Sequence, residues 1–325
     1  MEYSSTDEIC LMELDAYKAL RPAKKFNETS NRLLDMAYSD DGKGLIVSAE
    51  DIILIYNLND GSKAKPIECK KYGVNQLEYL TAETCIHSDT TGGIIRLLNM
   101  RQKSYEKYYH GHTQKIRALK SNPKERERFM SSADDGDLRM FDTRTHANYG
   151  LVHTVHPALI AFDPEGICFA VATKSQTIRL FDVRSFDLGP FKEFKITKND
   201  DDEWTNIEFT PCGRFILVST NASGVKWIDA FNGSLVHNFS EHKNPNNLPL
   251  RATVTPDSEY LIVGSADRNI YGYSTESGNL AFKLQTPFHE PAHIVGFNQK
   301  QFMLATLGRE VMLWAPEQEY TGERE

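Results

Sequence analysis

One pattern of hydrophobic and polar positions recurs along the chain. It begins with small residues at the end of a strand, passes through a polar turn, enters an alternating strand and ends on a large side chain. Residues 130–142, 172–182 and 263–273 are three clear copies. Alternation predicts a strand with one face buried, and the polar turn predicts a hairpin. The chain therefore repeats a β-hairpin unit.

The large residue that ends each copy can be followed through nearly the whole chain. It stands at Tyr56, Leu98, Phe141, Phe181, Trp227, Tyr273 and Trp314. Neighbouring positions are 40 to 46 residues apart, which matches the roughly 40–45 residues of one propeller blade. Seven copies predict an all-β fold, a seven-bladed β-propeller of WD40 type that occupies residues 21–315.

A ring of blades must be closed, because an open ring leaves strand edges that invite aggregation. Residues 21–26 precede the first full blade, and the seventh blade runs out of chain near Trp314. We therefore predict that residues 21–26 supply the outer strand of the last blade. We expect residues 1–20 to be a flexible acidic extension and residues 316–325 to be an acidic tail.

Composition narrows the environment of the protein. The 325 residues carry a formal net charge of −8 and are 40% hydrophobic, as in an ordinary globular domain. No apolar run approaches the roughly 20 residues of a membrane span, and the first residues lack a signal-peptide core. Five scattered cysteines without a C-x-x-C pair argue for a reducing compartment and against a disulfide framework or a zinc site. We expect no metal, no cofactor and no membrane partner.

Positive charge is concentrated in one stretch of this acidic chain. Residues 96–128 hold ten basic and three acidic side chains, with tyrosines and histidines between them. Local positive charge favours an acidic or phosphorylated partner, whereas a solvated blade edge protected by Lys and Arg is the structural alternative. The negative charge of the whole chain argues against direct, specific binding of nucleic acid.

The polar residues that could suggest catalysis are explained by the repeat. Only the third blade keeps an upstream Gly111-His112, and there His112, Ser132 and Asp135 are expected to form a buried hydrogen-bond network. The sequence contains no nucleotide-binding loop, H-E-x-x-H motif or nucleophile elbow. We therefore predict a protein that is not an enzyme and has no catalytic residues.

Several stretches go beyond what the generic repeat requires. The most specific is Arg-Ser-Phe-Asp-Leu-Gly-Pro-Phe at residues 184–191. The others are residues 70–74, 162–166, 203–205, 217–221, 228–231 and 255–258. On these stretches, residues 21–315 resemble the WD-repeat adaptor subunit that is shared by the COMPASS histone lysine methyltransferase and by nuclear phosphatase and RNA 3′-end processing complexes.

The resemblance implies a non-catalytic protein of the nucleus. It would link histone methyltransferase subunits, or a nuclear scaffold of protein phosphatase 1, to transcribing RNA polymerase II through the phosphorylated C-terminal domain of the polymerase. Arg and Lys pair well with phosphate oxygens. The candidate residues for partner or phosphopeptide binding are Lys70, Lys71, Tyr72, Arg96, Lys115, Arg117, Arg139 and Trp204. For Trp204, packing beneath the fifth blade is the structural alternative.

A different class of function stays open. Some WD proteins dock the adaptor of a cullin-type ubiquitin ligase through an Asp-x-Arg motif after the strand-ending aromatic residue. Asp142 with Arg144, and Asp182 with Arg184, match that motif. The chain would then be a substrate receptor of the ligase. In the structural alternative, each arginine pairs with the aspartate of its own motif.

Overall fold

The computed structural model describes residues 14–145, 147–154, 156–196, 202–222, 224–287 and 290–316. Over these residues the strands form seven antiparallel sheets, each of which is one blade. The first strand of each blade lies at the central channel, and the last strand lies at the rim. The predicted seven-bladed propeller is confirmed.

The chain enters through helix α1 (Leu14–Lys18) and strand β1 (Leu20–Phe26). Blade one consists of β2 (Asp35–Tyr38), β3 (Gly44–Ala49), β4 (Ile52–Asn57) and an outer strand divided into β5 (Ser62–Lys63) and β6 (Ile67–Glu68). Blade two consists of β7 (Leu77–Tyr79), β8 (Thr84–Ser88), β9 (Ile95–Asn99) and β10 (Ser104–Tyr109). Blade three consists of β11 (Ile116–Ser121), β12 (Arg128–Ala133), β13 (Asp137–Asp142) and β14 (Asn148–His153).

The second half of the chain continues the same plan. Blade four consists of β15 (Ala158–Phe162), β16 (Cys168–Thr173), β17 (Thr177–Asp182), a 3₁₀ turn (Phe186–Leu188) and β18 (Lys192–Lys195). Blade five consists of β19 (Trp204–Phe209), β20 (Phe215–Thr220), β21 (Val225–Asp229) and β22 (Leu235–Phe239). Blade six consists of β23 (Thr253–Val254), β24 (Tyr260–Gly264), β25 (Asn269–Ser274) and β26 (Leu280–Gln285). Blade seven adds β27 (Ile294–Phe297), β28 (Leu304–Leu307) and β29 (Val311–Pro316).

The ring closes as the sequence predicts. Strand β1 pairs antiparallel with β29, from Leu20 opposite Pro316 to Phe26 opposite Val311. The last sheet therefore has the order β1-β29-β28-β27 and joins the two ends of the chain. The register shifts between Pro22 and Lys24. Pro22 has no backbone N–H and so cannot donate a hydrogen bond to the neighbouring strand.

The core lies between blades rather than in one central mass. All seven large residues that mark the repeat lie on the third strands, and each is at most 4% exposed. Phe141 of blade three, for example, shares one cluster with Leu80 and Ile95 of blade two. Each blade therefore buries its apolar surface against its neighbours, and the ring is needed to complete the core.

The flexible extension predicted for residues 1–20 is wrong for residues 14–20. Helix α1 packs against blades six and seven, and its Tyr17 is only 1% exposed. The Tyr17 hydroxyl donates to Asp257 at 2.7 Å, and the ring lies 4.8 Å from that of Tyr260. The rest of that extension and almost all of the predicted tail, residues 1–13 and 317–325, lie outside the described residues.

Candidate partner-binding surface

The alternation of strand directions gives the propeller two different faces. The loops between second and third strands, and the segments that join one blade to the next, lie on what we call the upper face. The other hairpin loops lie on the lower face. All eight residues predicted to bind a partner lie at or near the upper face. The rim group consists of Lys70, Lys71, Tyr72 and Arg96. The channel group consists of Lys115, Arg117 and Trp204. Arg139 belongs to neither group.

The rim group lies where blade one meets blade two. Arg96 of β9 is only 2% exposed, and its guanidinium lies 3.9 Å from the centre of the Tyr72 ring. Its Nη1 is 3.7 Å from Oδ2 of Asp89, and neither Nη1 nor Nε has a hydrogen-bond partner among the described residues. Stacking on an aromatic ring is favourable for arginine. Arg96 therefore supports Tyr72 from below and is not presented to solvent as an anchor.

The exposed part of the rim group is small. The ammonium of Lys71 lies 5.0 Å from the centre of the Tyr72 ring, on an exposed segment before blade two. A hydrogen bond between them raises the pKa of Lys71 and lowers the pKa of Tyr72. Lys70 pairs with Glu68 at 3.1 Å, with both side chains 68% exposed. Lys70, Lys71 and Tyr72 are thus the residues of this group that a partner can reach, since an exposed ion pair such as that of Lys70 is weak.

The channel group surrounds the upper mouth of the central channel. A cavity of about 710 Å³ lies there, and Lys115, Arg117 and Trp204 line it. Lys115 directly precedes β11, is half-buried, and has no ion-pair partner among the described residues. Its ammonium is therefore the charge of this group that remains available to an anion.

Arg117 and Arg139 are already held by carboxylates of the same blade. Arg117 makes two bonds to Asp134, of 2.6 and 2.7 Å, which raise the pKa of its guanidinium. Arg139 donates to Asp137 at 2.9 Å, and its side chain is 17% exposed. Such pairs compete with an incoming phosphate, so both arginines are weaker candidates than the sequence indicates.

Trp204 packs inside the propeller. It is 9% exposed and belongs to the cluster between blades four and five. Its indole Nε1 is buried without a hydrogen-bond partner among the described residues. The side chain therefore forms part of the wall of the channel mouth and does not project as an anchor.

Three further basic residues that the sequence did not single out line the mouth. One of them, Arg251, is already held by two carboxylates. The other two are Arg32, which precedes blade one, and Lys174, which pairs with Glu203 at 3.6 Å. These two are about 80 and 60 residues away from Lys115 in the sequence. No signal short of the ring geometry brings them together, since neither lies in a basic run.

Basic side chains from residues 96–128 do not form one surface. Arg126 pairs with Asp40 and Arg101 with Glu83, both towards the lower face. Lys107, on the outer strand, donates to the backbone oxygen of Thr143. The stretch passes through both faces and the rim because it spans a third strand, an outer strand and an inner strand. Its concentration in the sequence is not a concentration in space.

Comparison with known proteins decides the family. A family model described as "Nucleolar protein 10-like, N-terminal domain", a β-propeller, matches residues 29–274. "WD repeat-containing protein 82" of Drosophila melanogaster is 34% identical over 93% of this chain and 96% of its own length. The chain belongs to this family of WD-repeat propellers.

More distant members of this WD-repeat family carry names that specify a complex. "COMPASS component SWD2" of Saccharomyces cerevisiae is 26% identical over 91% of this chain and 93% of its own length. "Set1 complex component swd2" of Schizosaccharomyces pombe is 26% identical over 80% and 76%. These names describe components of a complex and no reaction. The family resemblance inferred from residues 21–315 is confirmed.

The third WD repeat contains the buried hydrogen-bond network that the sequence predicts, except that a different serine takes part in it. His112 Nδ1 lies 3.1 Å from Asp135, and Nε2 lies 2.8 Å from the hydroxyl of Ser131. The predicted Ser132 is wrong for this network, because it faces the other side of β12 and donates to the Ala158 oxygen. Burial lowers the pKa of His112 although Asp135 opposes it. The network joins two upper-face loops inside the blade, and its three residues are not among those that line the channel mouth.

The two Asp-x-Arg motifs of this WD-repeat propeller lie on its lower face. Arg144 makes two bonds to Asp142, of 2.9 and 2.6 Å, and these lower the pKa of that carboxyl to about 2. In the second motif, the Arg184 backbone N–H donates to Asp182 at 2.7 Å, and both side chains are exposed. In the first motif, Arg144 therefore pairs with the aspartate of its own motif, as the structural alternative predicts.

Among the described residues, no group of three or more His, Cys, Asp or Glu side chains is close enough together to hold a metal ion. Within the same part of the chain, no helix has the length and apolar character needed to cross a bilayer.

Proposed function

We propose that this chain is a non-catalytic nuclear adaptor in a histone lysine methyltransferase complex of the Set1/COMPASS type. The observation that carries the proposal is its similarity, over 91% and 80% of the chain, to two relatives named as components of that complex. A propeller suits this role because seven blades offer many loops on a rigid frame.

The adaptor would connect the complex to transcribing RNA polymerase II. A phosphorylated segment of the C-terminal domain of the polymerase is the ligand that suits the mouth of the channel, where Lys115 has no carboxylate partner among the described residues and Arg32 lies on the same cavity. Phosphoserine carries nearly two negative charges and three acceptor oxygens. A nuclear scaffold of protein phosphatase 1 is the second partner that we propose, on the family resemblance alone.

Purification of the tagged chain from nuclear extract, followed by mass spectrometry, tests the proposal. We expect methyltransferase-complex subunits to remain bound at moderate salt, with phosphatase-scaffold subunits in a second pool. A chain with Arg144→Glu and Arg184→Glu serves as the matched control, because it changes the lower face only. Recovery of a cullin and its adaptor, lost in that control, would instead support the substrate-receptor function.

A further inference from the structure

The large exposed hydrophobic side chains are concentrated in one sector of the propeller. Among the described residues, nine are more than about a third exposed, and eight of them lie between residues 149 and 236, in blades three to five. Leu188 is 84% exposed and Phe191 is 60% exposed. Exposed apolar side chains that are concentrated in one region commonly mark a site of interaction. The channel mouth and the rim group make no use of it.

Within this sector, two outer strands lack the charged residues that usually protect a sheet edge. Five of the seven outer strands carry Lys, Arg, Asp or Glu, and β1 also carries Pro22. The two exceptions are β14 (Asn-Tyr-Gly-Leu-Val-His) and β22. Charged residues on an edge strand prevent unwanted pairing with other strands. Strand β14, which pairs only with β13 in its sheet, is therefore open to an added strand.

A groove runs beside β14. It has a volume of about 450 Å³ and lies between β14 and the loop that precedes β18. Leu151 and Val152 line one side, and Phe186 and Pro190 line the other. Phe186 packs onto the backbone at Gly150, where an added Cβ would lie 2.6 Å from the ring. The specific run at residues 184–191, which the WD repeat does not require, thus forms one wall of the groove.

The charged residues of the groove favour a partner that carries a basic side chain. Arg179 and Glu193 line the groove and pair with each other at 2.8 Å. Asp187 lines it as well, is exposed, and has no ion-pair or hydrogen-bond partner among the described residues. His153 at the end of the strand bonds to Asp137 at 2.7 Å. The groove therefore offers an uncompensated carboxylate beside an apolar floor.

We propose that β14 and this groove bind an extended segment of a partner protein, which adds a fifth strand to blade three. The segment places an apolar side chain between Leu151 and Pro190 and a neighbouring Lys or Arg against Asp187. Backbone pairing along the open edge supplies affinity, and the two side chains supply selectivity. A second copy of this chain fits less well, because a two-fold contact would bring the same acidic groove against itself.

The test uses the purified full chain and a library of short acetylated, fluorescein-labelled peptides. One position is fixed as Leu, Val or Phe, and the next as Lys, Arg, Ser or Glu. We expect the apolar-basic members to bind by fluorescence anisotropy and to protect the amides of residues 148–153 from hydrogen exchange. Leu151→Glu should weaken that binding by at least about tenfold. Leu235→Glu, the same change on β22, is the matched control and should have no effect.

A charge swap keeps the test independent of folding defects. Asp187→Lys should lose the Lys-containing peptides and gain the Glu-containing ones. Three results would overturn the proposal. They are the absence of binding by every apolar-basic member, equal binding by wild type and Leu151→Glu, and a wild-type dimer that Leu151→Glu converts to monomer. None of these readouts involves the methyltransferase complex or the polymerase, so the proposed function stands or falls separately.

Discussion

Buried polar side chains show how single residues shape this propeller. His87 and Arg96 lie opposite each other on β8 and β9, at 0% and 2% exposure. Arg96 stacks on Tyr72, whereas His87 contacts the Ser88 backbone oxygen at 3.2 Å and leaves Nε2 without a partner among the described residues. Burial, with a smaller contribution from Arg96, lowers the pKa of His87 to about 4. The folded protein therefore holds this histidine neutral.

The pKa of His87 predicts acid sensitivity. In the unfolded chain, His87 has its ordinary pKa near 6.5. Between pH 6.5 and 4, His87 is therefore protonated in the unfolded state but remains neutral in the folded state. The stability that depends on neutral His87 is complete above pH 6.5 and decreases as the pH falls towards 4, by up to about 3 kcal/mol. His87→Phe should remove this part of the pH dependence of unfolding, measured with urea at pH 7, 5.5 and 4.

The control for this prediction is His110→Phe, a change at an exposed position beyond the end of β10. It should leave the pH dependence unchanged. His242, whose pKa burial also lowers to about 4, remains in both variants, so the slope should become smaller without disappearing. If His87→Phe had the same slope as wild type, the titration of His87 would not be linked to folding.

At the level of elements, closure involves helix α1 as well as strand β1. Tyr17 lies in the aromatic cluster between blades six and seven, and β1 completes the sheet of blade seven. The helix is only five residues long, and a helix of that length is not stable by itself in water. Its stability therefore comes from the packing of Tyr17 and from its connection to β1.

Truncation should separate the two contributions. Removing residues 1–19 loses Tyr17 and should lower the free energy of unfolding by about 3–5 kcal/mol, as for other buried aromatic residues. Removing residues 1–26 also exposes the edge of β29 and should abolish cooperative unfolding or solubility. Tyr17→Phe is the matched control and should cost about 1 kcal/mol, the value of one hydrogen bond. Equal urea midpoints for the two truncations would disprove closure by β1.

At the scale of the whole molecule, the ring decides which charges act together. Lys115, Arg32 and Lys174 come from three parts of the chain and line one mouth. The basic stretch of residues 96–128, which contains only Lys115 of these three, is instead distributed over both faces. If a phosphorylated peptide binds there, long-range charge and a few contacts at the mouth should dominate its affinity.

Binding of a phosphorylated polymerase-tail peptide tests this arrangement. Lys115→Glu together with Arg117→Glu should weaken binding at least tenfold, or about 1.4 kcal/mol. Most of the loss should already occur in Lys115→Glu alone, because Arg117 is held by Asp134. Arg101→Glu, an equal change of charge on the lower side of blade two, should have little effect. Fluorescence anisotropy at two salt concentrations measures the affinity of each variant, and the unphosphorylated peptide serves as the control ligand. Equal affinities for wild type and Lys115→Glu would exclude the mouth as the binding site.

The sequence by itself determined the repeat, the number of blades, the strand that closes the ring and the family. These depend on local alternation and on a regular period, which can be read along the chain because each blade contacts mainly its neighbours. Tertiary structure alone decided which polar groups meet. Ser131 rather than Ser132 joins His112, since a shift of one residue along a strand reverses the side on which a side chain lies. It also decided which arginines are already paired and that an open edge lies beside an acidic groove, because those contacts join residues that are distant in the sequence.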